Sequence, residues 1–188
     1  MHAAEPSSDL DPAGHTPVGR FIAAVAMIST LFGIVAIVLL LAAVVIVCEV
    51  VLTRYFLGGS AIWQYEVITY AVIAATFLGS PYVLLTRGHV GVDLVPLFLP
   101  RRGRLALALL ANLLGFLFCA VIAGYGFVFA LTAYQTGQTA PTIAATPLWI
   151  PYASLPIGGL LLCLQYIADS LALITGRARP FGLEDENA

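Results

Sequence analysis

FIAAVAMISTLFGIVAIVLLLAAVVIVCEVVL, residues 21–52, carries one ionisable carboxylate, Glu49, in an otherwise apolar run. As a helix it reaches about 48 Å, well beyond a hydrocarbon core of roughly 30 Å. It shows none of the apolar–polar alternation of an outer-membrane barrel strand. It also runs far past the roughly 7–15 apolar residues of a signal-peptide core. The stretch therefore reads as a retained membrane helix that tilts or projects into an interface.

Working outward, three more runs are long enough to cross: about Ile62–Leu85, Leu105–Ala133 and Leu148–Ile174. The expected fold is all-α, an integral membrane four-helix protein. A four-helix membrane domain occupies residues 21–175, between a polar N-terminal tail over 1–20 and a C-terminal tail over 176–188. The N-terminal tail, rich in Pro, Ser and Gly, is expected to be flexible. Composition agrees, since only 10% of residues are charged, against roughly 25% in soluble domains.

Arginine placement sets an expected orientation. All eight basic residues are arginines. Arg20, Arg87, Arg101, Arg102, Arg104, Arg177 and Arg179 fall on one side of the four crossings, and Arg54 falls on the other. The positive-inside rule places both termini and the middle loop in the cytoplasm. The connections Arg54–Ala61 and Tyr134–Pro147 then face outward. Trp63, Tyr65, Tyr134, Trp149 and Tyr152 all lie at the outer boundary, where amphipathic rings are favoured. The middle connection, Arg87–Arg104, is too apolar for water and too short to span. It reads as an in-plane segment at the cytoplasmic interface, with Arg101, Arg102 and Arg104 meeting anionic headgroups. A loop packed on the end of the bundle is the competing reading.

Ionisable groups inside spans mark either function or a buried partner. Glu49, Glu66 and Asp169 qualify, and Asn112 is the main deep polar group of the third span. Glu66 lies about 6 Å along the axis from Ile62, where the positive end of the helix dipole favours its charge. Arg54 and Glu66 flank a short outer connection and form a candidate ion pair; two independent interfacial charges is the alternative. His89 and Asp93 stand at i and i+4, but two ligands do not make a catalytic zinc site. Cys48, Cys119 and Cys163 read as packing residues, without metal spacing. No nucleophile elbow or P-loop is present, so no catalytic residue, cofactor or metal is assigned. Small residues at helical spacing, Ala111 with Gly115 and Ala120 with Gly124, suggest close helix packing. Four spans without a midplane ionic cluster fit an accessory or scaffold subunit better than a complete carrier.

Several stretches resemble a known family. RYFLGGSAIWQYE (residues 54–66), Gly79, RGHVGVD (87–93), Leu99-Pro100, PLWIPY (147–152) and PIG (156–158) occur in the order of the small transmembrane subunit of TRAP transporters, the DctQ type. The likeness covers roughly residues 21–175. One departure is Gln64-Tyr65, where the family often has a small residue and an acidic one. The resemblance implies a bacterial inner-membrane scaffold beside a large, sodium-coupled permease subunit. It also implies a periplasmic binding protein that delivers organic acids. Sodium is then expected on the large partner, and Arg54, Trp63, Glu66, His89 and Asp93 are expected to hold the architecture or the subunit contact. Two other readings stay open: a small subunit of another receptor-dependent carrier, such as the tricarboxylate family, and a membrane enzyme or cytochrome subunit using His89 and Asp93.

Overall fold

The computed structural model describes residues 16–56, 58–59, 62–86, 100–142 and 145–176. Four helices hold most of them: α1 Pro17–Phe56, α2 Ile62–Leu85, α3 Arg101–Thr136 and α4 Trp149–Ile174. Each is long and apolar enough to cross a membrane. The protein is thus an all-α, four-helix membrane protein. The only β pairing among the described residues is an isolated bridge, Thr139–Pro147.

α1 begins earlier than the hydropathy suggests, so residues 17–20, expected in the flexible tail, are helical. The cause is a local start signal. The Thr16 hydroxyl accepts the Gly19 N–H at 3.3 Å, and Pro17 occupies the first helical position, where its missing N–H costs nothing. The helix also continues through Arg54, whose cation in the last turn suits the negative end of the dipole. Its 40 residues make a rod of about 60 Å, twice the hydrocarbon thickness. The remainder of the N-terminal tail, the C-terminal tail from 177 and residues 87–99 of the expected in-plane segment lie outside the described residues. Arg101–Arg104 form the first turn of α3, after Pro100 in an extended conformation.

α1 is apolar all round, so its buried face is set by residue size. Ser29, Ala36, Ala43 and Val50 are buried at seven-residue intervals, joined by Val25 and Gly33. A 3.5-residue repeat is the seam of left-handed helix packing. Gly33 receives the Tyr82 ring of α2: a Cβ there would stand 2.5 Å from Tyr82 Cγ. On the same seam, a Cβ at Gly79 would lie 3.0 Å from that of Ala36.

α4 is the central helix. It packs on α2, α3 and α1, whereas the packing of α3 is concentrated on α4. Two adjacent glycines make this possible, because successive residues project about 100° apart on a helix. A Cβ on Gly158 would meet the backbone of Phe77 in α2, 2.6 Å from its carbonyl carbon. A Cβ on Gly159 would lie 2.9 Å from Cβ of Ala123 in α3. Backbones approach closely on both sides, which is how helices gain dispersion contact in a solvent as apolar as their side chains. Space therefore runs α1–α2–α4–α3, two hairpins joined through α4.

The second hairpin has an ordered turn between α3 and α4. Gly137, at φ 63°, ends α3. Its N–H bonds the Tyr134 carbonyl at 3.4 Å and that of Gln138 bonds Ala133 at 3.0 Å, a left-handed helix close. The chain doubles back by Ala140 N–H to the Thr146 carbonyl, 2.9 Å, and Leu148 N–H to that of Gln138, 3.0 Å. Edge-on stacking of Tyr134 and Trp149, with centroids 6.0 Å apart, fastens the two helix ends.

Candidate functional site

The N-terminal end of α2 gathers the polar residues that the sequence distributes between two hairpins. Gln64 and Glu66 are both buried there, 4% and 8% exposed. Two positions apart on a helix, they project roughly 200° apart and so face different neighbours. Gln64 looks toward α1: its amide Nε2 donates to Glu49 Oε2 at 3.4 Å, while the Thr53 hydroxyl donates to Glu49 Oε1 at 2.7 Å. Glu66 looks toward the loop before α4, where Thr146 donates its hydroxyl to Glu66 Oε2. Among the described residues, Glu66 Oε1 and Gln64 Oε1 are buried without hydrogen-bond partners, as is the hydroxyl of Tyr70 one turn further along α2.

The expected Arg54–Glu66 pair is not the arrangement found. Arg54 Nη1 donates to the Tyr65 hydroxyl at 3.5 Å, and Glu66 bonds Thr146 instead. The reason is helical phase: α1 continues to Phe56, carrying Arg54 on an exposed face, while Glu66 turns inward. Trp63 is 55% exposed, on the outer surface of the first turn of α2. His89 and Asp93 lie outside the described residues.

A second polar tie lies deeper. Ser29 Oγ of α1 donates to Gln165 Oε1 of α4 at 2.9 Å, and Gln165 Nε2 donates to Asp169 Oδ1 at 3.1 Å. Ser29 and Gln165 are 1% and 2% exposed. Sequence reading singled out Asp169 but passed over both of these partners. Gln165 and Asp169 at i and i+4 in an apolar run were the available signal; Ser29 offered none. Asn112 Nδ2 of α3 donates to Ser170 Oγ of α4 at 3.3 Å. Among the described residues, no group of three or more His, Cys, Asp or Glu is placed to hold a metal. These polar side chains join helix to helix, which in hydrocarbon is where a hydrogen-bonding group is satisfied.

Four apolar crossing helices tied by buried polar side chains define a multi-pass helical membrane protein. Its residues 43–176 match the family described as tripartite ATP-independent periplasmic transporters, DctQ component. The chain is similar to the C4-dicarboxylate TRAP transporter small permease protein DctQ of Rhodobacter capsulatus, 29% identical over 110 residues, or 58% of this chain and 48% of that protein. It is similar also to the ectoine TRAP transporter small permease protein TeaB of Halomonas elongata, 30% identical over 127 residues, or 68% of this chain and 65% of that protein. The matches thus span about half to just under two thirds of these relatives' own length. The chain belongs to the DctQ family, the small permease subunits of TRAP transporters, and is a multi-pass protein of the inner membrane.

Proposed function

We propose that this chain is the stationary scaffold of its transporter. It packs beside a large, sodium-coupled permease subunit that imports an organic acid delivered by a periplasmic binding protein. The observation that carries this reading is how the polar side chains of the spans are used. Glu49, Glu66, Ser29, Gln165 and Asn112 are bonded across to other elements, while α1 and α3 keep long rows of exposed Leu, Val, Ile and Phe. A subunit built this way offers packing surface more than an ion or solute site. That one relative is named for C4-dicarboxylates and another for ectoine fits solute choice made elsewhere in the complex. Both termini lie in the cytoplasm in this reading, following the arginine bias.

Arg54, Trp63 and Glu66 then hold the outer hairpin and its contact with the large subunit, and His89 and Asp93 the cytoplasmic side. The test is purification of the tagged full chain from native membranes. Recovery of a large multi-spanning permease, with solute uptake lost when this chain is deleted, supports the reading. Recovery of a pigment-bearing enzyme, or of a different carrier's permease, overturns it.

A further inference from the structure

Two buried polar atoms on one face of α2 complement each other. Glu66, only 8% exposed, accepts the Thr146 hydroxyl at Oε2. Its Oε1 is buried without a partner among the described residues, and so is the hydroxyl of Tyr70. The two residues stand four apart, so their side chains are neighbours on the helix surface. Tyr70 also lies within electrostatic range of Glu66 and of Tyr152 in α4. The carboxylate, the phenol and the Thr146 hydroxyl therefore share one junction, where α2 meets α4 and the turn before it. One unmet atom is an acceptor and the other carries a proton to donate, yet they do not bond each other. Gln64 Oε1, buried and unpartnered as well, belongs to the α1 side of the helix, where its amide meets Glu49.

An unmet carboxylate oxygen and an unmet phenol are both costly in an interior of low dielectric, so each calls for a partner. Arg54 does not supply it, being exposed and bonded to Tyr65. A side chain of another subunit does not reach atoms sealed from the surface of this chain. A metal cation would take lone pairs from both oxygens and leave the Tyr70 proton with no acceptor. The positive end of the α2 dipole also opposes a cation there. Water meets both needs at once. It accepts the Tyr70 proton, donates to Glu66 Oε1 and keeps a second hydrogen for a third group, the bonding pattern typical of structural waters.

We propose that Glu66 and Tyr70 form a binding site for a single buried water, which bridges Glu66 Oε1 to the Tyr70 hydroxyl. Both carboxylate oxygens then accept a hydrogen bond, one from Thr146 and one from the water. A buried acid is held in this way without an arginine. The bridge lies inside the chain, so it stands or falls independently of the scaffold reading above.

The test is a density map of the full chain in lipid nanodiscs, at a resolution that orders buried waters elsewhere in the molecule. The expected result is one peak within about 3 Å of both Glu66 Oε1 and the Tyr70 hydroxyl oxygen. Tyr70→Phe removes only the hydroxyl and is expected to lose that peak while Thr146 stays on Glu66. Four results overturn the proposal: a direct Tyr70–Glu66 bond, a donor from residues 143–144 on Oε1, no peak between the two oxygens, or a peak of full strength in Tyr70→Phe. An anomalous peak at the same point after exchange into rubidium chloride also overturns it, because the occupant is then a cation.

Discussion

Thr146 and Glu66, 80 residues apart in sequence, are joined by a hydrogen bond from the threonine hydroxyl to the glutamate carboxylate. The bond ties the α3–α4 turn of the second hairpin to the first helical turns of α2. It gives a buried carboxylate, 8% exposed, a donor close to the positive end of the α2 dipole.

Removing that donor isolates the carboxylate. Thr146→Val is expected to destabilise the detergent-solubilised chain by about 1.5–3 kcal/mol, the range for hydrogen bonds to charged groups. A double-mutant cycle with Glu66→Gln is expected to show coupling of about 1 kcal/mol or more. The same cycle between Arg54→Ala and Glu66→Gln is expected to be additive within about 0.5 kcal/mol. Strong coupling there would restore the Arg54–Glu66 pair.

The buried Ser29–Gln165 bond predicts an asymmetry. Ser29→Ala leaves the Gln165 carbonyl unsatisfied inside the bundle, expected to cost about 1–3 kcal/mol. Adding Gln165→Met removes the stranded carbonyl but also the amide that donates to Asp169, so the double variant is expected to be no more stable than Ser29→Ala. Unfolding monitored by circular dichroism in mixed micelles measures both.

Glycines differ by what they face. Gly158→Leu must displace the Phe77 backbone, and is expected to prevent α2 and α4 from docking, seen as loss of a monodisperse folded peak. A Cβ at Gly124 meets nothing within 4 Å. Gly124→Ala is therefore expected to be neutral or stabilising by up to about 1 kcal/mol in the isolated chain. Equal damage from the two would contradict the packing around α4.

The proposed orientation predicts which cysteines a membrane-impermeant maleimide reaches. In a chain freed of its native cysteines, Ala140→Cys fails the test, being 9% exposed, so Gln138→Cys, exposed in the outer turn, is the probe. Labelling at Gln138→Cys from the periplasmic side is expected, with Thr86→Cys labelled only after permeabilisation.

How much of this was legible follows from where each feature is encoded. The four crossings are written in composition over long windows, which needs no knowledge of neighbours. The buried face of α1 is not, because every face is apolar and only the size of Ser29, Gly33, Ala36 and Ala43 distinguishes one. Gly115, picked out by spacing, does pack closely, under the Tyr166 ring, with a Cβ there 2.5 Å from Tyr166 Cζ; Gly124, picked out the same way, opens on free space. At the N-terminal end of α2, Glu66 was legible as an ionisable group in a span, but its partner was not. Thr146 is one hydroxyl in a loop, and a turn governed by Gly137 and the Thr139–Pro147 bridge decides that it meets Glu66. Arg54 was misplaced for a related reason: charge sign suggested a pair, and helix phase decided against it.

The central claim is that this chain exists to hold a larger permease. Affinity purification of the tagged chain from native membranes, with the subunits counted by mass, tests it most directly. The account predicts a large multi-spanning TRAP permease in equal molar amount with this chain. Recovery of the small chain alone, from membranes in which that permease is present and active, would contradict it.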